Sequence, residues 1–187
     1  MRLFGFAIFA AMALTACSSA PTSRVESLRS DGLRPLLTWA TQDGPLAVEV
    51  LNQPFGAALA EKTSTVIAEG VKQGVTGRVI DTSTRPESRV GAAYTVRVVL
   101  DTQASANAQT LCDADAPDAA GSGLLRVVML FCAHRDGAAW MEGAVRGEMT
   151  RPTTPTAPDF QNLIRQMSRQ LFVPRQDDKG QRFRALP

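Results

Sequence analysis

Few residues of this chain can do chemistry, and their types restrict what that chemistry would be. Among its 187 residues there are three cysteines and a single histidine. A serine or cysteine nucleophile needs a base beside it, usually histidine. His134 is the sole candidate, and it stands beside the turn Arg135-Asp136-Gly137, where an exposed histidine is expected. Glu142 and Glu148 can be drawn as a carboxylate pair for glycoside hydrolysis. They share the polar side of a strand with Arg146, so solvation or ion pairing accounts for them. Asp113, Asp115 and Asp118 fail the calcium-loop pattern: the sixth residue from Asp113 is Asp118 rather than glycine, and the twelfth is Leu124 rather than glutamate. A solvated acidic loop is the reading there. Neither Cys112 nor Cys132 has a second cysteine at close spacing, which leaves no metal-ligand set. Gly121-Ser122-Gly123 precedes a strand and does not match a phosphate-cradling loop. The expectation is a chain with no catalytic residue, no metal and no cofactor.

Binding chemistry is also sparse. Arg165 and Arg169 fall four apart on the outer face of a predicted C-terminal helix, with Arg175 beyond. They form either an ordinary solvated helix face or a small basic strip for an anionic partner, such as lipid headgroups or cell-wall polymer. Twenty basic residues against 18 acidic ones give a formal charge of +2, which offers no electrostatic footprint for nucleic acid.

The N-terminus carries the most specific pattern. Arg2 precedes Leu3 to Leu14, an almost wholly apolar run too short to cross a bilayer but fitting a signal-peptide core. It ends in Leu14-Thr15-Ala16-Cys17, which resembles the lipobox of bacterial lipoproteins. That resemblance implies cleavage before Cys17, a diacylglycerol on its thiol and a membrane anchor. Two or three acyl chains hold firmly where one holds marginally. In Gram-negative lipoproteins an aspartate after the cysteine commonly retains the protein in the inner membrane. Ser18 stands there instead, so the resemblance implies the periplasmic face of the outer membrane, with the inner membrane as the alternative. The polar stretch Cys-Ser-Ser-Ala-Pro-Thr-Ser then reads as a flexible tether.

Export bears on the other two cysteines. In an oxidising compartment Cys112 and Cys132 are an even pair, and a disulfide between them is expected, with two buried free thiols as the alternative.

These groups must be positioned by a body of predicted elements. Leu46 to Leu51 alternates as a strand, and Pro54 to Gly74 has the apolar spacing of a helix, with Asn52 as a possible cap. Val75 to Thr82 is a weaker strand, and Ala92 to Leu100 alternates clearly. Leu124 to Ala133 is apolar on both sides and should lie centrally. Arg135-Asp136-Gly137 turns it into Ala139 to Thr150, where Met141, Val145 and Met149 oppose Glu142, Arg146 and Glu148. Asp159 is expected to cap a last helix with one apolar stripe, from Phe160 to Phe172. The predicted fold is α+β: a mostly antiparallel sheet of four to five strands with two helices on one face, in the order β-α-β-β-β-β-α. The predicted organisation is a signal peptide over 1–16, a lipidated tether over 17–31, one domain over 32–174 and a polar tail over 175–187.

Lipobox and element order together resemble the small envelope lipoproteins of proteobacteria, several of which back a few-stranded sheet with two helices. The motif-level likeness covers residues 1–19, and no functional residue carries over. The expected role is a non-enzymatic accessory or binding module meeting an envelope protein. A carrier or sensor of an apolar or lipid ligand between helices and sheet, and an envelope hydrolase, are the alternatives.

Overall fold

The computed structural model describes residues 20–29, 31–89, 92–113 and 119–174. The signal segment, Cys17, Asp115, Asp118, Arg175 and the C-terminal tail lie outside the described residues. The chain runs through β1 (Thr22–Leu28), α1 (Arg34–Ala40), β2 (Leu46–Leu51), α2 (Ala60–Gly74), β3 (Thr82–Ser83), β4 (Tyr94–Leu100), β5 (Leu124–Arg135), β6 (Ala138–Thr150) and α3 (Pro158–Leu171). Among the described residues the strands form one six-stranded sheet, ordered β1-β6-β5-β4-β2-β3.

The α+β class holds, but the sheet is mixed, with six strands and three helices instead of the four to five strands and two helices expected. β1, β6, β5 and β4 pair antiparallel, whereas β2 runs parallel to both β4 and β3. The parallel pairing follows from connectivity: α2 carries the chain from the end of β2 back to its starting side before the next strand begins. The segment read as tether holds the largest surprise. From Thr22 onward it is a sheet edge, paired with β6. Its sequence, Thr-Ser-Arg-Val-Glu-Ser-Leu, has no apolar alternation, because its backbone hydrogen bonds come from β6 and its side chains are mostly exposed.

β5 and β6 are joined through Asp136 (φ 54°) and Gly137 (φ 80°), the two left-handed residues that a tight hairpin with right-handed strand twist requires. A register shift opposite Phe131 and Cys132 leaves Glu142 without a strand partner. This bulge moves Met141 off the side of Val145 and Met149, on which simple alternation puts it, and packs it on the opposite face.

One face of the sheet supports the helices. Val48, Val96, Val98, Leu125, Val127, Met129, Phe131 and Val145 pack against Ile67 and Val71 of α2 and Leu163, Ile164, Met167 and Leu171 of α3. α2 and α3 touch backbone to backbone. A Cβ on Gly74 would stand 2.7 Å from the Arg165 carbonyl oxygen, and one on Gly70 would stand 2.7 Å from Ile164 Cγ2. Ser168, wholly buried, donates its hydroxyl to the Val71 carbonyl at 2.8 Å across that contact. Arg34 of α1 ties the ends of both helices, donating to the carbonyls of Thr76 and Phe172, where helix dipoles favour a cation.

Neither expected helix cap is used. Asn52 adopts φ 63° and donates from Nδ2 to the Leu100 carbonyl at 2.9 Å, joining the ends of β2 and β4 instead. α3 starts at Pro158, so Asp159 lies within its first turn, where its charge still suits the dipole.

Candidate functional site

The face of the sheet away from the helices is not left to solvent. Residues 101–113, which follow β4, lie across it, and Ala108, Leu111 and Cys112 pack onto Val99, Val128, Leu130, Cys132 and Ala144. Cys112 and Cys132 form a disulfide with their Cα atoms 5.7 Å apart. This cover explains why β5 is apolar on both sides.

Arginines complete the attachment. Arg97 of β4 is paired with Glu49 of β2 at 2.8 Å, and it also donates to the Leu111 carbonyl at 2.8 Å. Arg146 of β6 holds Glu26 of β1 through two bonds, at 2.6 and 3.0 Å, and also donates to the Ala106 carbonyl. Arg151 bonds Asp101 at 2.5 Å and the Ser122 carbonyl at 3.0 Å, closing the far end of the same connection. Such charge-assisted bonds to buried carbonyls and carboxylates are stronger than neutral ones.

Between this cover and the β1 edge lies a cavity of about 340 Å³, lined by Thr22, Arg24, Thr102, Arg126, Arg146 and Glu148 among others. Cross-strand register makes it cationic. Arg24 of β1 stands directly opposite Arg146 of β6, and Arg126 of β5 opposite Glu148 of β6. Arg126 Nε donates to Glu148 at 2.9 Å. Glu148 and Glu26 thus balance Arg126 and Arg146, while Arg24 is exposed and has no polar partner among the described residues. Thr102 is fully buried, and its hydroxyl oxygen also lacks a partner there.

The residues singled out by sequence are dispersed. His134 is at the other end of β5, where its Nε2 and the Thr95 hydroxyl are hydrogen-bonded at 2.8 Å. Burial pushes the His134 pKa below its ordinary value, and the charge of Arg97 acts in the same direction. The half-buried ring is therefore held neutral, not displayed as an exposed turn histidine. Since the unfolded chain binds this proton more readily, stability should be intact above about pH 6.5 and fall as pH drops below it. Thermal melts across that range should show a steeper loss on acidification for wild type than for His134→Gln; equal slopes would remove His134 as the cause.

Glu142 accepts from Arg29 at 2.9 Å and from Trp140 Nε1 at 3.0 Å, far along β6 from the Glu148–Arg126 pair. Each glutamate therefore has its own arginine, and neither pairs with Arg146. Arg165 is half-buried and bonded to Asn162 at 3.0 Å, while Arg169 is exposed. Among the described residues no group of three or more His, Cys, Asp or Glu side chains is placed to hold a metal ion. No helix among them is long and apolar enough to cross a membrane. The cavity was missed by sequence because its arginines come from three strands and meet only through register.

No protein-family model matches the chain, and no curated protein does. Solved structures similar to it include two of the PelC dodecamer from Paraburkholderia phytofirmans. One, a point variant, is 14% identical with a TM-score of 0.46; the other is 13% identical with a TM-score of 0.44. Each match covers 82% of this chain and 99% of the other. Similarity at this level carries nothing about function.

Proposed function

We propose that the chain is an envelope lipoprotein, anchored through Cys17 at the periplasmic face of the outer membrane, which acts as a non-enzymatic accessory module by contact with an envelope protein. The observation that supports a non-catalytic role most directly is that each candidate base is hydrogen-bonded within the framework. Glu142 is bonded to Arg29 and Trp140, Glu148 to Arg126, and His134 to Thr95. A general base needs a lone pair available to the substrate's proton, at hydrogen-bonding distance from it.

The anchor has a geometric consequence on this reading. Only four residues separate Cys17 from Thr22, the first residue of β1. Fully extended, the path from Cys17 to Thr22 reaches about 17 Å. The sheet edge is then held close to the bilayer, so any partner is met at the membrane surface.

Cys17→Ala tests the reading. The variant should move from the membrane fraction into soluble periplasm, with its disulfide intact, and crosslinks from the wild type to an envelope protein should disappear with it. A variant that still sediments with membranes as the wild type does overturns the anchor. Separating outer from inner membranes on a density gradient reports which of the two carries the wild type.

A further inference from the structure

We propose that the cavity between β1, β5, β6 and residues 102–104 binds the oxyanion group of a small organic acid or phosphate ester, with the Arg24 guanidinium as its principal contact. This goes beyond the anchored-module reading and does not depend on it.

Three observations converge on an anion. The first is the pairing of like charges. Arg24 and Arg146 occupy directly opposed positions of an antiparallel pair, where facing like charges destabilise a sheet. Glu26 answers the charge of Arg146 but leaves Arg24 uncompensated. An oxyanion beside Arg24 supplies the missing negative charge. The second is donor geometry. Arg126 bonds Glu148 through Nε, and Arg24, also in the lining, has no polar partner among the described residues. Planar forks of this kind match carboxylate and phosphate oxygens in pairs. The third is Thr102: a fully buried residue in the lining whose hydroxyl has no partner among the described residues can donate to a ligand oxygen.

Size and charge narrow the class. A cavity of about 340 Å³ is at the small end of organic ligand sites and exceeds what a bare ion fills, so the anionic group is carried on a small molecule. With Glu148 and Glu26 in place, the three arginines leave a net positive charge that a single oxyanion group answers. Carboxylate and phosphate ester share the required chemistry.

The test titrates the full chain, purified in detergent, with acetate, inorganic phosphate and chloride separately at constant ionic strength, following backbone and arginine Nε–H signals by NMR. Saturable shifts at Arg24, Arg126, Thr102 and Gly147 with acetate or phosphate are expected, and which of the two binds more tightly assigns the group. Arg24→Ala should weaken binding about tenfold or more, the usual consequence of losing one charged hydrogen-bonding partner, while Arg135→Ala at the distant hairpin leaves it unchanged. Without anion, Arg24→Ala should melt no lower than wild type, because the facing guanidinium is gone. Shifts that chloride reproduces, binding indifferent to Arg24→Ala, or a lower melting temperature for that variant without anion would each overturn the proposal.

Discussion

Phe131→Ala should lower folding stability by about 3–5 kcal/mol, the range for truncating a large buried aromatic. Phe131 is inaccessible to solvent on the helix face of β5, near the middle of the sheet. Its ring stacks on Tyr94 of β4, with centroids 5.3 Å apart and planes 6° apart. It also meets Phe172, just past α3, edge to face at 5.3 Å and 84°. One side chain therefore joins two central strands to the end of a helix. The neighbours cannot close the gap easily, because they belong to different elements, each with its own hydrogen bonds. Phe131→Leu keeps most of the volume and should cost roughly 1–2 kcal/mol. Denaturant unfolding of both variants decides it: if alanine costs no more than leucine, the aromatic cluster is not what binds α3 to the sheet.

Removing the disulfide should cost about 3 kcal/mol, or roughly 10 °C in Tm for a domain of this size. The bond closes a span of 20 residues, and that figure follows from the freedom restored to the unfolded chain. Both cysteines are buried, so a Cys112→Ala, Cys132→Ala double variant is preferable to serine, which would bury a hydroxyl. The loss should be uneven. Arg97, Arg146 and Arg151 still hold residues 101–113 at three other points, so the sheet and helices keep their order while amides around Leu111 and Cys112 exchange faster. Intact mass after alkylation supplies the covalent check: two alkyl groups should be gained by wild type only after reduction. Equal melting temperatures for wild type and double variant would show that the arginine bonds alone fasten the cover.

The two variants also separate two kinds of burial. Phe131 belongs to the layer formed by helices on sheet, which amphipathic patterns announce. Cys132, its neighbour in β5, belongs to the layer formed by irregular chain on sheet, which no period announces. Both faces of one strand are buried, by covers of different origin. The apolar stripe of α3 packs Leu163, Ile164, Met167 and Leu171 directly into the core.

Local pattern alone determined β2, β4, the β5–β6 hairpin and the apolar faces of α2 and α3, because each follows from side chains repeating every two or every three to four residues along one segment. Cysteine number, with the export that the N-terminal pattern implies, pointed to the Cys112–Cys132 pair. Tertiary structure decided what depends on partners far away in the chain. β1 is a strand because β6 offers it an edge; the bulge at Glu142 reverses Met141; and Arg146 chooses Glu26, 120 residues earlier, over the glutamates of its own strand. The cationic cavity is of this second kind. Arg24, Arg126 and Arg146 read singly as solvated charges, and only the register of three strands brings them to one place, since electrostatic pairing follows distance in space and leaves no period in the sequence.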